Sequence, residues 1–298
     1  MKSPIVMQQE RDFSQNINAT FEFVIQNFKP LLRAVVLIAG PGAVVAGVFG
    51  GLYQSNMLAF GDAPASNDLF HPFTQVFSTN YLLMAAFSLL AYVLAGCTVY
   101  AYVIEYEQEQ PTQSEDGYIS TEQVWARVQK NLLQYVGALI LGFVLLVLGG
   151  LLFVLPAIYL MVVFSLVFIV IMAEGLSPVD ALKRAFYLIN GNWWAHFGLI
   201  IIVGIIQGVF GLVFQAPMLI ITFLKSIGVL GGDLQYALVG STVLSTIGST
   251  CVNTLSWVAI AFQYYNFVER KEGRGMRQAI EAIGQKQTPP ASGGQEQY

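Results

Sequence analysis

From Leu132 to Ala173 the chain runs for 42 residues without a charged side chain. A helix needs about 20 apolar residues to cross the hydrocarbon core of a bilayer. The run is too long for one crossing and long enough for two. Gly149, Gly150 and Pro156 supply a break inside it. The pattern predicts a tight hairpin, with spans near 132–152 and 155–173.

Four further runs predict spans near 31–53, 81–103, 193–214 and 234–262, which makes six in an all-α integral membrane protein. Residues 218–232 are apolar but carry Lys225 and end in Gly231-Gly232. They read as a bent extension or a re-entrant piece. Composition agrees, since 11% of the residues are charged against about 25% in soluble domains.

Basic residues gather in cytoplasmic segments. With six spans, 13 of the 14 lysines and arginines fall on one side and only Lys225 opposite. Both termini are therefore expected in the cytoplasm. Residues 1–30 form a cytoplasmic segment without signal-peptide features, 31–266 the transmembrane domain, and 267–298 a tail. The tail holds a basic cluster, then Met276, Ile280 and Ile283 on one face. That pattern suits an amphipathic helix against anionic headgroups. Residues 287–298 read as disordered.

A short amphipathic segment precedes each odd-numbered span. The three align on Asn27, Asn131 and Asn192. An aromatic stands six residues earlier (Phe21, Trp125, Phe186) and a β-branched residue three earlier (Val24, Val128, Ile189). The reading is three units, each an interfacial helix and a hairpin, over about 12–104, 118–173 and 177–266. The asparagines are expected to cap the entering helices.

Residues 174–198, EGLSPVDALKRAFYLINGNWWAHFG, follow a proline-containing span, LPAIYLMVVFSLV. This combination resembles a broad family of bacterial membrane proteins, the YciC-like proteins and the membrane domain attached to some glycerophosphoryl diester phosphodiesterases. The stretches NATFEFVIQNFKPLLRA and FVERKEGRGMRQAIEAIG resemble a Bacteroidota-type subgroup. The resemblance implies six helices in a bacterial inner membrane and carries over no catalytic residue.

Little in the sequence points to chemistry. Arg33, Glu105, Glu174 and His196 read as interfacial, and no ionisable group sits mid-span, which disfavours an ion-coupled pump. His71 falls in the external loop 54–79, across the membrane from His196. Cys97 and Cys251 read as packing residues, and the acidic stretch 105–116 as a solvated linker. No cofactor, metal or catalytic set is expected. The net charge of −4 argues against nucleic acid.

Gly204 and Gly208, and the stripe Ser241, Ser245 and Ser249, read as helix-packing surfaces. Gln207, Gln215 and Asn253 are the candidate cavity or packing residues. The expected function is a non-enzymatic scaffold or subunit of a membrane assembly, with the bilayer, anionic headgroups and other membrane proteins as partners. The alternative is a transporter or lipid-handling protein with a cavity between the hairpins.

Overall fold

The computed structural model describes residues 5–61, 77–109, 119–152, 154–277 and 280. Among these it is all-α, with ten helices and no strand. They are α1 (Phe13–Gln26), α2 (Phe28–Ile38), α3 (Gly40–Gly61), α4 (Thr79–Glu109), α5 (Thr121–Leu152), α6 (Val154–Phe164), α7 (Val167–Glu174), α8 (Pro178–Ile189), α9 (Trp193–Ser226) and α10 (Gln235–Glu272). Five helical stretches are long and apolar enough to cross a membrane, α6 and α7 together counting as one. The bent pair α2–α3 adds a sixth if it counts as one span.

The first expected span, 31–53, is divided between two helices. α2 and α3 meet at 60°, because Pro41 has no N–H to give the Leu37 carbonyl and its ring crowds the turn before it. The pair α6–α7 breaks at Ser165, whose hydroxyl turns back to the Val162 carbonyl at 2.8 Å.

Several expected boundaries move. Residues 124–132 form no separate interfacial helix, since α5 runs unbroken from Thr121 to Leu152. Ser120 and Gln123 do make the capping box at its start, at 2.9 and 3.2 Å. Nothing re-entrant occurs at 215–226. There α9 continues to Ser226 with Pro217 inside it, a substitution that removes one helix bond without stopping the helix. Residues 54–61 of the expected external loop are helical, because α3 extends to Gly61; His71 lies outside the described residues. Part of the acidic linker is helical, because α4 runs to Glu109. In the tail, α10 stops at Gly273 in the left-handed conformation. Met276 and Ile280 are exposed, while Ile283 and 287–298 lie outside the described residues.

The close helix contacts are made by other glycines than Gly204 and Gly208. A Cβ on Gly47 would stand 2.5 Å from the Val243 Cα, and one on Gly51 would collide with Val239. α3 and α10 thus touch backbone to backbone. At Gly204 and Gly208 the space is open.

The buried core lies toward the end of the bundle that carries α1, α8 and the last turns of α4, α7 and α10. Phe23 of α1 sits in an aromatic box there, with centroids 4.9 Å from Tyr106, 5.7 Å from Phe262 and 6.3 Å from Tyr102. Toward the other end, the α5–α6 hairpin exposes Phe143, Leu151 and Leu155.

Candidate functional site

Two features stand out: a collar of polar pairs at the end bearing the basic residues, and a groove halfway along the helices.

The collar begins with the three asparagines. None of them caps a helix with its side chain. Asn27 and Asn192 occupy the residue before α2 and α9 but make no capping bond. Asn131 lies inside α5. In each case the carboxamide is instead directed at a helix end far along the chain. Asn27 Oδ1 accepts from the Tyr102 hydroxyl at 3.0 Å. Asn131 Nδ2 donates to Met172 Sδ at 3.3 Å. Asn192 Oδ1 accepts from Arg270 Nη1 at 3.1 Å. Asn27 and Asn131 also spend an N–H on the carbonyl four residues earlier, Phe23 and Arg127. The Asn27 oxygen is engaged by Tyr102, and Asn131 stands inside α5, where the backbone N–H groups already have helical partners.

A second set of pairs links each of these helix ends to the following amphipathic segment. Glu105 of α4 pairs with Arg127 of α5 at 2.5 Å. Glu174 of α7 takes the fork of Arg184 in α8 at 2.9–3.1 Å and accepts from the Tyr264 hydroxyl at 2.9 Å. Arg184 also pairs with Glu272 at the end of α10. Burial works against the Arg184 charge, but the carboxylates of Glu272 and Glu174 more than offset it and raise its pKa. The last helix reaches back to the first. Asn266 of α10 bonds the Arg11 backbone, and Asn16 of α1 donates to Gln263. The Arg11 guanidinium is buried on the backbone carbonyls of Val6, Met7 and Gln9 and over the Phe262 ring. Burial lowers its pKa.

His196, at the start of α9, is shut inside the protein. It is fully buried, against Phe267, with Nε2 2.8 Å from Ser165 Oγ. The Ser165 proton goes to the Val162 carbonyl, so the hydroxyl accepts from His196 Nε2–H and leaves Nδ1 bare. Nδ1 has no hydrogen-bond partner among the described residues. The imidazole has no exposed surface, while Ser165 is half-buried.

The groove lies between α4 and α10, has a volume of about 360 Å³, and is lined by Ser88, Tyr92, Thr246, Ser249, Thr250 and Asn253 among others. It opens sideways, since Leu89 and Tyr92 are 55% and 49% exposed. Asn253 is the one member of the expected polar trio found here. Gln207 instead ties α9 to α10 through the Val252 carbonyl at 3.2 Å. Gln215 is exposed on α9 near Gly211. Ser88 and the α10 threonines carried no signal in the sequence, because only the pairing of two distant helices puts them together.

Cys97 is buried, Cys251 half-buried, and both are free. No cluster of metal-ligating side chains occurs among the described residues.

Residues 120–267 match the model of a domain of unknown function, DUF7847. The matched stretch starts at the Ser120 cap of α5 and ends near the last turn of α10. No curated protein and no solved structure matches the chain.

Proposed function

We propose that the chain is a non-enzymatic, lipid-handling protein of a bacterial inner membrane, holding a membrane-embedded guest in the groove between α4 and α10. The observation that carries this is the groove itself, a mostly apolar opening at the middle of two apolar helices with a carboxamide and hydroxyls in its wall. The Ser88, Ser249 and Asn253 side chains there have no hydrogen-bond partner among the described residues, and hydrocarbon would supply none.

In this reading the chain crosses the membrane six times, with the bent α2–α3 pair as one span and both termini in the cytoplasm. Three units follow one another: α1–α4, α5–α7 and α8–α10. Support comes from the recurring pairs. Each unit's asparagine meets the end of its own returning helix, and that end meets the amphipathic segment of the next unit, with Asn266 and Arg11 closing the ring. The collar holds the cytoplasmic half rigid, while the outer half keeps a lateral opening. The basic residues of the collar and tail then face anionic headgroups. The resemblance to YciC-like proteins fits such an architecture.

A second reading, a scaffold or subunit of a membrane assembly, is favoured by one observation. Gly204 and Gly208 of α9 face open space beside the exposed Ile205 and Val209, which suits a helix of another membrane protein.

Quantifying lipids retained by the full chain after purification in a mild detergent separates the two. The lipid-handling reading expects a bound lipid that persists through washing and is lost in Ser249→Phe, which fills the groove. Retention unchanged by Ser249→Phe, together with a co-purifying protein lost in Gly204→Leu, speaks for the scaffold.

A further inference from the structure

We infer that the guest of the α4–α10 groove is a neutral amphiphile, an acylglycerol-like molecule whose hydroxyl or ester group bonds Asn253 and whose chains leave past Leu89 and Tyr92. The inference rests on the lipid-handling reading and names the class of lipid it takes.

The first argument is depth. At ~1.5 Å per residue, Asn253 lies roughly 25 Å along α10 from Arg270 and about as far from Gln235 at the other end. The groove is therefore halfway across, away from both headgroup layers. The second argument is charge. None of the residues lining the groove is charged. A phosphate taken to this depth would lack a basic partner, and an ammonium an acidic one, and an unpaired buried ion is strongly disfavoured. A neutral headgroup has no such penalty.

The third argument is unmet hydrogen bonding. Ser88, Ser249 and Asn253 make no hydrogen bond with another described residue, whereas Thr246 and Thr250 give their protons to the Thr242 and Thr246 carbonyls. Those two therefore offer acceptors only, while Asn253 offers two donors and an acceptor. Behind the wall, Trp257 Nε1, Thr254 Oγ1 and Tyr100 Oη are buried without partners among the described residues. The Trp257 ring packs on both Tyr92 and Tyr100, at 4.8 and 5.5 Å. Native proteins rarely orphan so many buried polar atoms in one place. A guest with its own donor and acceptor satisfies the polar side chains that line the groove itself, Ser88, Ser249 and Asn253.

The fourth argument is size. The volume falls within the range of small-molecule sites, about 300–1,000 Å³. On α4 the lining spans only Ser88 to Ala95, about two turns. A guest helix would need a longer track, whereas a headgroup with the start of its chains does not.

The test places the full chain in phosphatidylcholine nanodiscs with a trace of a photoactivatable diacylglycerol or, separately, a photoactivatable phosphatidylglycerol of equal chain length. Cross-linked peptides are then mapped by mass spectrometry. Diacylglycerol is expected to label the peptides bearing residues 88–95 and 246–253 at least about fivefold more than phosphatidylglycerol. Asn253→Leu is expected to lower that label about fivefold, the equivalent of one net hydrogen bond of about 1 kcal/mol. Asn253→Gln should keep most of it, and both variants should remain monodisperse with unchanged melting temperature. Equal labelling by the two probes overturns the neutral guest and leaves the groove reading standing. An absence of label at these peptides overturns both. Unchanged label in Asn253→Leu overturns the role of the carboxamide, and a cross-link to a second polypeptide there shows a helix in place of the amphiphile.

Discussion

Asn266, in the last helix, holds both backbone polar groups of Arg11. Its Oδ1 accepts from the Arg11 N–H and its Nδ2 donates to the Arg11 carbonyl, each at 3.0 Å. The two residues are 255 positions apart, and the side chains of both are buried. This clasp fastens the N-terminal segment to the end of the chain and completes the collar. An unsatisfied buried group costs about 1–3 kcal/mol. Asn266→Leu orphans two, so thermal unfolding in detergent is expected to show a loss of roughly 2–4 kcal/mol. A variant as stable as the wild type would mean that the segment is fastened elsewhere.

The approach of α3 to α10 predicts a contrast between glycines. A side chain at Gly51 collides with the Val239 backbone, while one at Gly204 meets nothing. Gly51→Ala is expected to lower the melting temperature clearly, by the equivalent of roughly 1–3 kcal/mol as for overpacking. Gly204→Ala should leave it unchanged in a chain purified alone. Equal effects would place the helix contact on the wrong glycines.

Arg184 joins Glu174 and Glu272, the ends of two different helices, and its side chain is only 15% exposed. Arg184→Ala leaves the Glu174 and Glu272 carboxylates with Arg274 alone, the more exposed of their two shared cations. The expected loss is about 2 kcal/mol, below the 3–5 kcal/mol of fully buried pairs because solvent still reaches the site. Arg184→Lys should recover only part of it, since an ammonium cannot reproduce the fork. Chemical denaturation of the three proteins in micelles measures the order; a lysine variant matching the wild type contradicts it.

Orientation follows from placing the collar in the cytoplasm. A single cysteine at Gly231, in the turn between α9 and α10, should react with an impermeant maleimide added outside intact cells. One at Lys183 in α8 should react only after the membrane is opened. The reverse pattern would invert the topology. These measurements require Cys97 and Cys251 to be replaced by alanine or serine first.

The spans were readable because a charge-free run of apolar residues has few other outcomes. The bend at α2–α3 also had a signal, Pro41, which lies inside an otherwise continuous apolar run and was outweighed by it. The asparagines were the right residues in the wrong role. Their positions recur in the sequence, but their partners lie 75, 41 and 78 residues away, and local spacing says nothing about such distances. Capping was the local answer, and distant helix ends took the amides instead. Gly204 and Gly208 show the same limit. Their spacing marks a face that admits close packing, while the neighbour that uses such a face was at Gly47 and Gly51. The groove was half visible: Asn253 was conspicuous as a mid-span amide, but Ser88 and Thr246 become notable only once α4 and α10 stand side by side.

The most direct test is an experimental structure of the full chain in lipid nanodiscs. The account expects α4 and α10 to stay apart at Ser88 to Ala95, with elongated density between them whose polar end reaches Asn253. A groove closed by the α5–α6 hairpin, with Asn253 bonded to another part of the chain, would contradict it.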